Sequence, residues 1–294
     1  MIAVMGSTGK TGGAVARRLL AAGRRVRAIG RSTARLQPLV DLGATPVAGD
    51  VTESEFLASA FDGVEAVYAM IPPDYSQPDL RRYYNRIGES IVAALTRAGI
   101  GRVVFLSSLG AELEADTGPI AGLHDVEARL ASLGIHVLNL RPGYFYENLY
   151  AAIDQVKQHG VNGGAIDPDA PVTMIATRDI SNAAAEELLR AEFRGVGTRE
   201  LLGPRDYTMV EASHILGEAI GKPDLPYVRV PDEAFANALV QAGFSKGVAE
   251  ALVELSQALS AGRVRSLQGR TGRTTMPTPL ETFAGEWAAA YRAA

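Results

Sequence analysis

Gly6, Gly9 and Gly12 recur at intervals of three in the opening stretch MGSTGKTGGAVARRLL, residues 5–20, which also contains Gly9-Lys10-Thr11. Two phosphate chemistries use such residues. A loop that wraps the triphosphate of a hydrolysed nucleotide has glycine, four residues, then Gly-Lys-Ser/Thr. That pattern needs its first glycine at position 4, where the chain has Val4 inside an apolar run. A β-branched residue cannot take the backbone angles with which that glycine wraps a phosphate. The other chemistry is the cradle for a dinucleotide diphosphate. Here Gly6 turns the chain out of a strand, Gly9 lets the backbone approach the diphosphate, and Gly12 lets the next helix pack on the sheet. The helix start adds unpaired N–H groups and a positive dipole end. Gly6, Ser7, Thr8, Gly9, Lys10, Thr11 and Gly12 are therefore the expected diphosphate site. The spacing is Gly-x-x-Gly-x-x-Gly rather than the commoner Gly-x-Gly-x-x-Gly, so the strand before it and the helix after it carry the assignment.

The end of the second strand indicates which dinucleotide. Enzymes that use NAD place an acid there to accept from the ribose hydroxyls. This chain reads Ala28-Ile29-Gly30-Arg31-Ser32, with no acid before Asp41. A carboxylate would repel a 2′-phosphate, whereas the planar fork of an arginine can clamp it. Arg31 thus predicts NADP, with NADPH preferred over NADH, and Arg35 lies one helical turn on. After the third strand, Asp50 precedes Val51 and stands where a carboxylate can accept from the adenine amino group. The same Asp50 suits a cap for a helix beginning at Thr52 and Glu53.

These residues need a frame to hold them. Apolar runs at Ile2–Met5, Val26–Ile29, Thr45–Ala48, Ala66–Ile71, Val103–Leu106 and His136–Leu140 predict six strands. Amphipathic segments lie between them, among them Thr11–Ala22 and Asp79–Ala98. Continuous Val/Ile/Leu runs are the mark of strands buried on both faces. Strands alternating with helices imply right-handed crossovers and a doubly wound, Rossmann-type α/β parallel sheet. After residue 150 the rhythm loosens: Gly160–Asp169 reads as loop, Asp179–Ala191 as helix, and Glu200–Leu202 as a last strand. Helices are expected at Val210–Ile220, Asp232–Ala242, Val248–Leu259 and Leu280–Ala293, with one strand at Tyr227–Val230. The expected division is a dinucleotide-binding core over 1–150, completed by 178–206, and a smaller, mostly helical substrate-side lobe over 151–177 and 207–294.

Bulk properties narrow the classes. The chain has 294 residues, 47% hydrophobic and 21% charged, with a net charge of −4 and no cysteine. That balance gives no electrostatic pull toward nucleic acid or anionic membrane. Disulfides, thiolate metal sites and a cysteine nucleophile are excluded together. The four histidines, His124, His136, His159 and His214, are scattered and suggest no metal site. No membrane span or signal peptide is expected, which makes the cytoplasm the expected location.

Taken together, the segments GSTGKTGGAVARRLL, AIGRS, AGDVTE, IPPD, VVFLSSLGA, HDVEARLASLGI and LRPGYFYENL resemble the NmrA-like branch of the short-chain dehydrogenase/reductase superfamily, close to its quinone and azo-dye reductases. The resemblance continues through LLGPRDYTMVEASHILGEAIGKP and TPLETFAGEW and spans essentially the whole chain. It implies a Rossmann core holding NADP(H), with Gly6, Thr8, Gly9, Lys10 and Thr11 on the diphosphate, Arg31 on the 2′-phosphate and Asp50 at the adenine. It further implies Ile71 and Pro72 along the ribose, and Ser107, Pro142, Gly143 and Tyr144 near the nicotinamide.

The chemistry expected of such a site departs from the superfamily's usual device. Most short-chain dehydrogenases use Tyr-x-x-x-Lys on one helix face, the lysine lowering the tyrosine pKa. The lysines here are Lys10, Lys157, Lys222 and Lys246, and four residues before them stand Gly6, Ile153, Glu218 and Ala242. The pair is absent, which argues against acid–base oxidation of alcohols. Many NmrA-like proteins have Lys or His four residues before the glutamate matching Glu127; this chain has Leu123 there and His124 one step later. One step turns a side chain by ~100° around a helix, and only an irregular helix start after Pro119 and Gly122 would restore the role. A quinone needs little acid help, since it is already electrophilic and the protein mainly aligns two planar rings. The expected catalytic residues are Tyr144, His124 and Asn148, with Phe145, Tyr146, Tyr75, Tyr83 and Tyr84 as further pocket candidates. The expected activity is hydride transfer from NADPH to a small planar acceptor, without metal, by a monomer or homodimer. The alternative is an NADP(H)-binding redox sensor that reports to a protein partner, as NmrA itself does; an isomerase or lyase-like relative is a third reading.

Overall fold

The computed structural model describes residues 1–294. The first half alternates strand and helix: β1 (Ile2–Val4), α1 (Lys10–Ala21), β2 (Val26–Gly30), α2 (Thr33–Val40), β3 (Thr45–Ala48), α3 (Ser54–Phe61), β4 (Ala66–Ala69), α4 (Leu80–Arg97), β5 (Arg102–Leu106), α5 (Pro119–Ala131) and β6 (His136–Pro142). Next come β7 (Tyr144–Phe145), a 3-10 helix (Tyr146–Ala152), α6 (Ile153–His159), β8 (Asn162–Gly164), β9 (Val172–Ile175), α7 (Thr177–Arg190) and β10 (Val196–Leu201). The chain ends with β11 (Asp206–Tyr207), α8 (Met209–Ala219), β12 (Tyr227–Arg229), α9 (Asp232–Gln241), α10 (Lys246–Ser260) and α11 (Leu280–Ala293).

Seven strands form one parallel sheet in the order β10-β6-β5-β4-β1-β2-β3. Because successive strand residues face opposite ways, each face has its own core. Ala3, Met5, Val67, Ala69, Val103, Phe105 and Val137 face α3, α4 and α5. Ile2, Val4, Tyr68, Val104, Leu138 and Leu140 face α1, α2 and α7. Helices on both faces make the doubly wound Rossmann fold. Strand order reverses between β1 and β4, so the loops after these strands diverge and leave a crevice at the sheet's carboxyl edge.

A third core gathers around Tyr146, Leu149, Met174, Tyr207, Phe283 and Trp287. Trp287 is fully buried, and its indole N–H donates to the Leu149 carbonyl at 2.9 Å. This lobe contains a three-stranded sheet, β11-β9-β7, and a parallel pair, β12-β8, alongside its helices. Elements of two to four residues carry too few positions to show alternation, so most of these strands lie outside what the sequence pattern predicts. β8 falls within Gly160–Asp169, expected to be loop. The strand expected at Glu200–Leu202 is the end of a longer one, Val196–Leu201, that closes the large sheet beside β6. Helix α2 was not expected, and it accommodates Pro38 in its interior. No helix is long and apolar enough to cross a membrane.

Candidate active site

The glycine turn leaves β1 at the carboxyl edge. Gly6 has φ +63, a left-handed angle that glycine adopts without strain. The Gly9 amide closes the turn on the Gly6 carbonyl at 2.8 Å. Ser7 points inward: its amide donates to Ile29 and its hydroxyl to the Val4 carbonyl at 2.7 Å. Of the expected diphosphate residues, Ser7 and Gly9 are thus the ones whose donors are all used by the fold. α1 then starts with Gly9 at its cap, no capping side chain and no acid in its first turn. The main-chain N–H groups of Thr8, Lys10, Thr11 and Gly12 donate to no protein acceptor. An added Cβ on Gly12 would lie 2.4 Å from the Met5 carbonyl oxygen and 2.5 Å from that of Gly6. Glycine at this position lets the helix press its open end against the turn. Four free amides at a positive dipole end suit an anion.

Beyond the turn lies a cleft of about 1070 Å³, walled by Arg31, Gly49, Asp50, the loop after β4 and the first turns of α4. Arg31 is exposed and has no carboxylate within ion-pair distance. Asp50 accepts from the Thr52 amide at 2.8 Å, so it closes a turn before α3 while still lining the cleft. Because of that turn, α3 begins at Ser54 rather than at Thr52. Val51 and Ile71 are buried, and Pro72 is half-buried at the cleft wall with its carbonyl held by the Tyr83 hydroxyl at 3.2 Å. Hydrogen bonds from Ser76, then from Gln77, hold the Asp74 carboxyl below its usual range, and the Arg31 guanidinium adds to this. Arg35 does not line the cleft.

The strand ends of β5 and β6 carry a buried ionic cluster. The Ser107 hydroxyl donates to Glu127 Oε1 at 2.5 Å. Arg141 donates to both oxygens of Glu127, at 3.0 and 2.6 Å, and to Glu112 Oε2 at 2.9 Å. Glu127 and Arg141 are nearly enclosed, and each offsets the other's burial. α5 is regular from Pro119, so no irregular start brings the position of Leu123 and that of His124 together. Leu123 packs against the core. His124 is half-buried, with Nδ1 2.9 Å from the Ala111 carbonyl. A carbonyl only accepts, so Nδ1 carries the hydrogen of this contact.

After β6 the chain crosses into the small sheet. Gly143 is required there, since an added Cβ would sit 2.4 Å from the Thr173 carbonyl oxygen. The Gly143 amide donates to Leu201 and the Pro142 carbonyl accepts from Leu109. Both residues are buried in this crossing. Tyr144 is half-buried; burial pushes its hydroxyl up to about 12, partly countered by a hydrogen bond with exposed Asn148. The other aromatic candidates separate. Tyr146 is fully buried in the lobe core with its hydroxyl on the Thr278 carbonyl, and Tyr84 lies on the buried face of α4. Phe145 packs against the core beneath the large sheet. Tyr75 stacks on Phe244 with ring centroids 4.7 Å apart.

Two contacts escape the sequence pattern. The Lys10 ammonium lies 4.2 Å from the centroid of the Tyr150 ring, joining the glycine turn to the lobe. Beside it, Glu147 caps the start of α7, accepting the Thr177 amide at 3.0 Å. Both link residues far apart in the chain, where spacing carries no signal. No group of three or more His, Asp or Glu residues converges as a metal site.

A model of the NmrA-like family matches residues 1–268. Among curated proteins, the chain is 27% identical over 299 residues to the NAD(P)H azoreductase of Xenophilus azovorans, covering 100% of this chain and 99% of that one. It is 30% identical over 268 residues to quinone oxidoreductase 2 of Escherichia coli (strain K12), covering 89% of each. Among solved structures, it superposes with a TM-score of 0.83 on the NADPH-dependent quinone oxidoreductase of Escherichia coli complexed with NADPH, at 26% identity over 97% of this chain and 99% of that one.

Proposed function

The chain belongs to the NmrA-like family, and from that premise we propose an NADPH-dependent reductase that passes hydride to a small planar acceptor such as a quinone. The observation that carries this reading is the pairing of an uncapped helix end, with four free amides, and a guanidinium with no carboxylate within ion-pair distance. Thr8, Lys10, Thr11 and Gly12 hold the diphosphate through main-chain N–H groups, and Lys10 adds positive charge. Arg31 takes the 2′-phosphate and thereby selects NADPH over NADH. Asp50, Val51, Ile71 and Pro72 flank the adenosine, while Ser107, Pro142 and Gly143 wall the nicotinamide end. Residues 151–177 and 207–294 form the substrate-side lobe.

Bound there, NADPH supplies a hydride. The chain's own groups position the acceptor and hold protons. With its hydrogen committed to Glu127, the Ser107 oxygen has none left to donate and can only accept. The Tyr144 hydroxyl, pushed up to about 12, stays protonated at neutral pH and donates to an oxygen that gains charge. His124 holds or moves a proton at Nε2. Hydride plus one proton completes reduction of a quinone to the hydroquinone, so no strong base is required. The protein works on a free small molecule in the cytoplasm, as a monomer or homodimer.

Mixing the purified protein with NADPH and a panel of quinones, and following loss of nicotinamide absorbance, tests this. Turnover is expected with at least one quinone. Tight NADPH binding with no oxidation across the panel would instead favour the redox-sensing regulator.

A further inference from the structure

The cleft wall carries the arginines Arg31, Arg82 and Arg86 and the acids Asp50, Asp74, Asp79 and Glu89. Helix α4 carries four arginines, Arg81, Arg82, Arg86 and Arg97. Arg81 makes a two-pronged pair with Asp125 at 2.8 Å, Arg86 pairs with Glu53 at 3.1 Å, and Arg97 pairs with Glu55. Arg82 alone meets no carboxylate, although it lies on the cleft wall together with Arg31. The acids around it are engaged by other groups. Asp50 accepts the Thr52 amide, Asp74 accepts Ser76 and Gln77, Asp79 caps α4 through the Arg82 amide, and Glu89 pairs with Arg129. The cleft therefore has two uncommitted guanidinium groups, one from the end of β2 and one from the first turn of α4. A phosphomonoester near neutral pH carries about −1.5 to −2 charge and three acceptor oxygens, more than a single guanidinium neutralises.

We infer that Arg82 is a second specificity residue, acting with Arg31 on the 2′-phosphate of a phosphorylated adenosine. This rests on the NADPH reading above. It also replaces Arg35, the residue that sequence spacing suggests, with one that stands 51 positions from Arg31 in the chain and lines the same cleft.

Fluorescence titration of NADPH and NADH against the wild type, Arg82→Ala, Arg82→Lys, Arg35→Ala and Arg31→Ala tests the inference. Arg82→Ala should raise the NADPH dissociation constant about tenfold, the effect of one charge-assisted hydrogen bond at an open site, and leave that for NADH unchanged. Arg82→Lys should recover part of the loss, and Arg35→Ala should change neither. Arg82 is exposed and has no ion-pair partner, so an unchanged melting temperature should accompany each result. Equal weakening of both cofactors would place Arg82 on the shared adenine or ribose and overturn the inference. No change in either would also overturn it, while selective loss in Arg31→Ala would leave the NADPH reading intact. A wild type that binds both cofactors equally would refute the NADPH reading itself, and the role of Arg82 with it.

Discussion

The two halves of the carboxyl edge are built from different materials. At the glycine turn, the groups on offer are main-chain atoms: free amides, a helix end, and glycines whose missing Cβ lets two backbones touch. At the ends of β5 and β6 they are side chains brought from distant elements, Ser107, Glu127, Arg141 and Glu112, with Tyr144 held by the small sheet of the lobe. A main-chain site binds what all dinucleotides share. A side-chain site can change its acceptor by changing a few residues, which suits a fold that serves several reductases.

Substitutions can sharpen or break this contrast. The largest effect is expected at the root of the lobe. Trp287→Ala empties the third core and should cost about 3–5 kcal/mol of stability in denaturant unfolding. If the lobe and sheet fold as one unit, a single transition results; if NADPH still binds after the lobe melts, the main-chain site stands alone. Next is Arg31→Glu, which exchanges attraction for repulsion at the phosphorylated ribose. NADPH binding should weaken roughly a hundredfold and NADH binding little, as read by titration. Equal loss would count against Arg31 as the selective group.

Tyr144→Phe should lower quinone turnover about tenfold, less than the usual effect of a general acid because water can also supply the proton. The Tyr144 contribution should be flat through neutral pH and fade only as pH rises toward about 12. The folded-state value lies above the ordinary tyrosine value of 10.0, so the associated stability is complete below 10 and is lost between there and about 12. Turnover unchanged in Tyr144→Phe and lost in His124→Gln would assign the proton to His124 instead. The smallest effect is expected where the two halves meet. Tyr150→Leu removes the ring beneath Lys10 and should weaken NADPH and NADH alike, by about 0.5–1 kcal/mol. A selective loss of NADPH would contradict the placement of Lys10 at the diphosphate.

The same contrast explains what was legible in the sequence. Gly6, Gly9 and Gly12 stand within seven residues and Arg31 at the end of the next strand, so local spacing alone singles them out as candidates. Ser7 sits in the motif but turns inward, a direction no spacing encodes. Lys10 and Tyr150 are joined only by tertiary folding, as are Arg31 and Arg82. The sheet was readable because its strands are apolar on both faces, whereas β7, β8 and β11 are too short to carry a pattern. The one-residue offset at Leu123 and His124 was visible, and the regular helix from Pro119 makes it a real difference in direction.

A crystal soaked with NADPH tests the central claim most directly. The account predicts density for the diphosphate against the amides of Thr8, Lys10, Thr11 and Gly12, with the 2′-phosphate on Arg31. A diphosphate seated elsewhere, with those amides facing only solvent, would contradict it.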